Sequence, residues 1–140
     1  MGINTEITYW LISCNVRLFD PFSAFDNMDE IDWPQSCKVK NDDVAFIYCT
    51  KPHMRIAFMT KVIRSSLPLE QAKYKGEIYY EIPEAIKRTP RYGYMRLELI
   101  KCSSNDNLSL KKLMSHGLTA APQGPLRLHG TLLKYVREQF

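Results

Sequence analysis

The sequence predicts an α+β domain: a small β-barrel, or a sheet covered by helices, flanked by short helices and closed by a C-terminal one. Three observations carry this. Residues 44–63 hold two β-rich runs, VAFIYCT and IAFMTKVI, joined by KPHMR, whose Pro52 cannot donate to a ladder, so the stretch reads as a hairpin. Both faces of that hairpin are apolar, because Val44, Phe46 and Tyr48 share one side of the first run while Ala45, Ile47 and Cys49 share the other. A ribbon with two apolar faces has to be covered on both, which is the situation of a barrel wall or of a sheet between layers. Near the end of the chain, Leu128, Leu132, Leu133, Tyr135 and Val136 fall at helical spacing, so residues 128–140 form a helix that packs on the sheet.

The remaining elements follow in order. Residues 7–14, with TYWLIS at their centre, are β-branched and aromatic and read as the first strand, which leads to Asn15. Asp20 before Pro21 has the pattern of an N-cap with proline at the first helical position, starting a short helix that carries Phe22 and Phe25 inward. The acidic segment 26–32 leads to Trp33-Pro34, and the proline biases Trp33 away from helix, which puts it on a loop. Residues 38–43 are a charged turn into the hairpin. Beyond the hairpin, 65–76 is a polar connection, EIYYEI at 77–82 a short strand closed by Pro83, and 84–88 a helical turn. YMRLELIKC at 94–102 alternates as a strand with Met95, Leu97 and Leu99 on one side. Asn107 then caps a short helix LSLKKLM that ends at Gly117, and AAPQGP makes a non-regular crossing to the last helix. That gives four or five strands, with no internal repeat.

At 140 residues with 45% hydrophobic content, the chain fits a single domain, 1–140, with a core that needs no staples. Cys14, Cys37, Cys49 and Cys102 form no CxxC or CxxH pair, and three lie in or beside predicted strands, where free cysteine behaves as a small buried hydrophobe. Reduced thiols of a cytoplasmic protein are the expectation. No stretch has the order of a signal peptide or the length of a membrane span, so no membrane partner is expected. Nineteen Lys and Arg against fifteen Asp and Glu give a formal charge of +4, compatible with a polyanionic partner.

Few residues have the pattern of a reaction centre. His53, His116 and His129 neither fall at i, i+4 nor pair with cysteines at finger spacing, so no metal or other cofactor is expected. Cys49 with His53 across the hairpin turn is the one local nucleophile-and-base candidate, against the commoner reading of a strand-end cysteine as packing. Asp29, Glu30 and Asp32, and likewise Asp42-Asp43, read as solvated turns rather than as an acid and base pair. No phosphate-binding glycine loop or nucleophile elbow is present. The stronger signal is aromatic residues among cations: Trp33, Tyr48, Tyr92 and Tyr94 fall in or beside loops, with Lys38, Lys40, Lys51, Arg55, Arg88, Arg91 and Arg127 around them. That mixture stacks bases and holds phosphates. For each aromatic, core packing is the competing reading.

The order YWLISCN, an acidic loop ending in IDWPQS, then VKNDDVAFIYCTKPHMRIAFMTKVI and a late GLTAAPQGPLRL before a closing helix resembles the EVE domain of the PUA-like superfamily, a relative of the YTH readers. It is most similar to the N-terminal EVE-type reader domains found ahead of HNH nuclease modules in modification-dependent restriction endonucleases. The resemblance covers most of the chain. It implies a small curved PUA-like β-barrel with flanking short helices, and a pocket that takes a flipped modified base, 5-methylcytosine in double-stranded DNA first and RNA as the alternative. It also implies a non-enzymatic module, any nuclease activity residing in a separate HNH module; a small enzyme or enzyme accessory using the same cleft is the competing reading. By position, Trp33 corresponds to the tryptophan that stacks on the base and Asn15 to a polar residue at the end of the first strand, with Ser13 and Cys14 adjacent. Tyr48 corresponds to an aromatic lining the pocket, beside Cys49. Lys51, Arg55, Arg91, Lys38 and Arg127 are then the candidates for a phosphate-binding rim.

Overall fold

The computed structural model describes residues 6–81 and 90–140. Six strands form one sheet: β1 (Tyr9–Cys14), β2 (Glu30–Pro34), β3 (Val44–Cys49), β4 (Arg55–Leu67), β5 (Tyr94–Cys102) and β6 (Leu126–Leu128), in the order β2-β5-β4-β3-β1-β6. Three helices accompany it: α1 (Pro21–Asn27), α2 (Leu110–Ser115) and α3 (Gly130–Glu138). The predicted hairpin is β3 and β4, antiparallel with Val44 opposite Lys61. β1 lies parallel to β3, from Tyr9 opposite Val44 to Cys14 opposite Cys49, so both strands end at one rim. A parallel pair needs a long crossover, and this one contains α1 and β2.

The sheet curls. β1 and β2 stand four places apart in the strand order, about 19 Å on a flat sheet at about 4.8 Å per strand. Yet residues of both wall one cavity, and the Phe19 ring just beyond β1 lies 5.5 Å from Trp33 of β2. The bend is built into β4, whose pairing with β5 shifts register at three places; each irregularity adds local twist. Where β4 ends against the start of β5, Gly93 has φ +75, and a Cβ there would stand 2.4 Å from the Leu67 carbonyl oxygen. Only glycine closes this corner.

The two apolar faces of the hairpin are covered as the sequence requires. On the concave side Trp10, Ile12, Cys14, Trp33, Ala45, Ile47 and Cys49 pack with Phe25 of α1. On the convex side Leu11, Phe46, Tyr48 and Ile56 lie under Leu113 of α2 and Val136 of α3. Asp20 caps α1, its carboxylate accepting from the Phe22 and Ser23 N–H groups at 3.1 Å, with Pro21 as the first helical residue.

Several expectations are corrected. Trp33 lies on β2, not on a loop: Pro34 ends an edge strand, where its missing N–H breaks no ladder. Residues 77–81 form no strand, and residue 82 lies outside the described residues; Glu77–Tyr79 is a 3-10 turn that brings Tyr80 beside Phe19. Ser109, not Asn107, caps α2, accepting from the Lys112 N–H at 3.3 Å, while Asn105 caps a preceding 3-10 turn. The crossing after Gly117 ends in β6, antiparallel to β1, which is too short to show a period, so the last helix starts at Gly130 rather than Leu128. Two aspartates read as solvated are buried: Asp43 accepts from the Thr8 and Lys40 N–H groups and the Trp10 indole, and Asp32 is paired with Arg96. The helical turn expected at 84–88 lies outside the described residues. Among the described residues no helix is long and apolar enough to cross a membrane.

Candidate functional site

Where β1 and β3 end, the curl leaves a cavity of about 190 Å³ between the end of β1 and β2. Ser13, Cys14 and Asn15 form one wall and Ile31 to Pro34 the other, with Leu18, Phe19, Lys75 and Tyr80 completing it. Trp33 is held at 9% exposure, its indole edge-on to Phe19 at an interplanar angle of 79°, and Phe19 in turn packs against Tyr80 at 4.8 Å. The cavity is therefore aromatic on the β2 side and polar on the β1 side.

Each polar group is set by its own element. Asn15 follows the last residue of β1; its Oδ1 accepts from the Arg17 N–H at 3.0 Å and its carbonyl from Leu18 at 3.0 Å, a tight turn that leaves its side-chain NH2 without a partner among the described residues. The Ser13 hydroxyl and the Tyr80 hydroxyl likewise make no hydrogen bond among the described residues. Burial pushes the Tyr80 phenol up to about 12, with Tyr94, Cys14 and Glu77 adding to the shift, so it stays a neutral donor through the physiological range. The Cys14 thiol faces the Phe19 carbonyl at 4.0 Å, and burial, then Cys49 and Asp20, raise it well above the ordinary thiol range.

Asp32 also borders the cavity, yet it is committed. Both its oxygens are engaged by Arg96, at 2.9 and 3.0 Å, and the Tyr74 N–H donates to it at 2.9 Å. Its own N–H donates to the Tyr74 carbonyl, so this aspartate pins the 74–75 backbone to β2. That brings Lys75 to the cavity, where its ammonium lies 3.7 Å from Glu77 and 6.0 Å from the Tyr94 ring.

Of the six pocket candidates the structure brings together Trp33, Asn15, Ser13 and Cys14, and leaves out two. Tyr48 is 2% exposed in the convex core, because its parity on β3 sends it away from the concave face on which Trp33 lies. Cys49 has the right parity but is fully buried behind the cavity, and burial holds its thiol at about 12, so it carries no activated thiolate. His53 lies instead against Phe22, the two rings 4.4 Å apart and tilted by 37°.

The five rim candidates separate. Lys51 follows Thr50, whose N–H donates to the Cys14 carbonyl and whose hydroxyl accepts from Val16, so it stands beside the β1 wall. Arg91 lies over Tyr92, whose N–H donates to the Gln35 carbonyl just past β2. Arg55 is elsewhere, donating to the Ser103 carbonyl and covering Phe22. Lys38 and Arg127 border a different cleft, at the start of β1. The cavity residues that sequence reasoning missed, Phe19, Lys75 and Tyr80, come from a turn and from a segment without periodic structure; the only signal was the tyrosine pair Tyr79-Tyr80, which reads as strand. Among the described residues no group of His, Cys, Asp and Glu side chains is placed to hold a metal ion.

No family model and no curated protein matches the sequence. Solved structures do match over nearly the whole chain. ASCH from Zymomonas mobilis superposes with a TM-score of 0.58 at 11% identity, covering 93% of this chain and 94% of that one. Protein Atu2648 from Agrobacterium tumefaciens gives 0.60 at 12%, covering 94% and 92%. Rpa0253 from Rhodopseudomonas palustris gives 0.64 at 10%, covering 95% and 92%. The likeness is one of fold: this chain shares the fold of ASCH from Zymomonas mobilis, here a curled six-strand half-barrel with three helices.

Proposed function

We propose that the domain binds nucleic acid by taking one unstacked base into the cavity beside Trp33, with a modified cytosine in DNA, 5-methylcytosine first, as its ligand. The observation that carries this reading is the pairing of an aromatic wall with donors that have no partner among the described residues, the Ser13 and Tyr80 hydroxyls and the Asn15 amide, in one cavity. Its volume, about 190 Å³, is below the roughly 300–1,000 Å³ of pockets for drug-sized ligands, which suits a single ring better than a whole nucleotide. The flat rings hold a base by its face and the donors meet its edge.

The energies are compatible with a reader. Extruding a base costs a few kcal/mol, and stacking returns about 1–3 kcal/mol per base, so phosphate contacts must complete the affinity. A buried methyl group adds only about 0.8 kcal/mol, roughly fourfold. Discrimination beyond that comes from the edge contacts of Asn15, Ser13 and Tyr80. A module of this kind serves as the specificity element of a restriction system only when joined to a nuclease, which on the resemblance would be an HNH module. RNA carrying a modified base is the alternative ligand of the same cavity.

Side-by-side titration with a methylated duplex, the same duplex unmodified, and an RNA of the same sequence tests the reading. Tightest binding of the methylated duplex is the expected result. Tightest binding of the RNA transfers the site to the alternative, and no binding of any of the three removes the proposal.

A further inference from the structure

At the opposite end of β1 from the cavity lies a second, larger cleft of about 630 Å³, walled by the stretch leading into β1, by Lys38 and Lys40, by Arg127 of β6 and by His129 at the start of α3. Its floor is aromatic. Trp10 stands opposite Arg127 in the β1–β6 pairing, and the Arg127 guanidinium covers its indole at 5.3 Å. Lys40 is partly committed, 3.9 Å from Asp43 and donating to the Glu6 carbonyl. Lys38 and Arg127 have no carboxylate partner among the described residues, and both are exposed. Glu6 is the one carboxylate that borders the opening.

We propose that this cleft is a second binding site, for the phosphodiester backbone of a nucleic acid, separate from the base cavity. The cleft is too wide for one phosphate to span, and Lys38 and Arg127, both exposed and without a carboxylate partner among the described residues, suit a chain of phosphates. The exposed Arg127 guanidinium, laid flat over the buried Trp10 indole, supplies a planar cationic face that meets a phosphate or the face of any base. The two sites stand at opposite ends of a six-residue strand, about 20 Å at about 3.3 Å per residue. One nucleic-acid chain engaging both would be held at two points, which raises avidity without any new contact at the base. The inference rests on the nucleic-acid reading above only in the class of its ligand.

The chain has two tryptophans, and each borders one of the two openings: Trp33 the base cavity and Trp10 the cleft. Labelling the wild-type chain with 5-fluorotryptophan gives two 19F resonances, assigned by Trp33→Phe, that report the sites separately. Unmodified oligo(dT) of twelve residues is expected to shift the Trp10 resonance, with a salt dependence that falls by about 1.4 units of slope in Lys38→Gln/Arg127→Gln, two phosphates at about 0.7 each. Both replaced residues are exposed, so the doubly substituted chain keeps its fold. Inorganic pyrophosphate is the control. If it shifts Trp10 at the same phosphate concentration as the oligonucleotide, the cleft takes small anions and the backbone proposal is overturned. If a modified oligonucleotide moves only the Trp33 resonance, the cleft proposal fails while the base cavity stands; if only Trp10 moves, the reverse holds.

Discussion

Trp33 lines the cavity and belongs to the concave core, and its proposed stacking role must be separated from its packing role before any variant is interpreted. Trp33→Ala removes a side chain exposed by only 9% and is expected to cost about 3–5 kcal/mol of stability, whatever it does to binding. Trp33→Phe keeps the core filled and trims the stacking surface; it should weaken nucleic-acid binding by about 1 kcal/mol, read from a titration, with the urea midpoint shifted far less than in Trp33→Ala. Tyr80→Phe removes one hydroxyl that has no partner among the described residues. Its stability should be unchanged within about 0.5 kcal/mol in thermal denaturation, while any ligand that uses this donor loses about 1 kcal/mol.

At the scale of elements, the site depends on two local anchors. Asp20 caps α1, and the Ser23 hydroxyl bond, 2.7 Å, is the largest cause that holds its carboxyl below the usual range. Because the native value is depressed, the cap's ionic contribution is present above the unfolded value near 3.8 and is lost as pH falls through the native one. Asp20→Ala should therefore destabilise by about 1 kcal/mol at neutral pH, with the difference from wild type shrinking in acid unfolding curves below about pH 4. The other anchor is the Asp32–Arg96 pair. Arg96→Met leaves a fully buried carboxylate with only the Tyr74 N–H, and should cost about 3 kcal/mol in urea unfolding. It should also loosen the 74–75 backbone, so the Tyr74 amide, which donates to Asp32, exchanges hydrogen faster than in wild type.

For the whole molecule, the readable part was the part with a period. The hairpin, β5 and α1 carry alternation or a cap in a handful of adjacent residues, and they stand where the sequence puts them. The site is a product of the curl, which brings β1 against β2 across three intervening strands, and no local pattern encodes that proximity. Asn15, Ser13, Cys14 and Trp33 were found through positional resemblance, whereas Phe19, Lys75 and Tyr80 arrive from a turn and from a segment of 3-10 turns and irregular backbone. Lys38 and Arg127 were misplaced for the same reason: both look like rim in the sequence, but they face the far end of β1. A net charge of +4 is compatible with a polyanionic partner but carries no information on where one would sit.

In the proposed mode of binding, base identity is read in the cavity and phosphates are held outside it. Its most direct test is the ratio of the dissociation constants for unmodified and methylated duplex, measured at several salt concentrations for wild type, Asn15→Ala and Lys51→Gln. A base-edge hydrogen bond releases no counterion, so Asn15→Ala should lower the ratio and leave the salt slope unchanged. A phosphate contact carries no base information, so Lys51→Gln should weaken both duplexes equally and reduce the slope by about one unit. A ratio that stays fixed in Asn15→Ala while its salt slope falls would contradict the account.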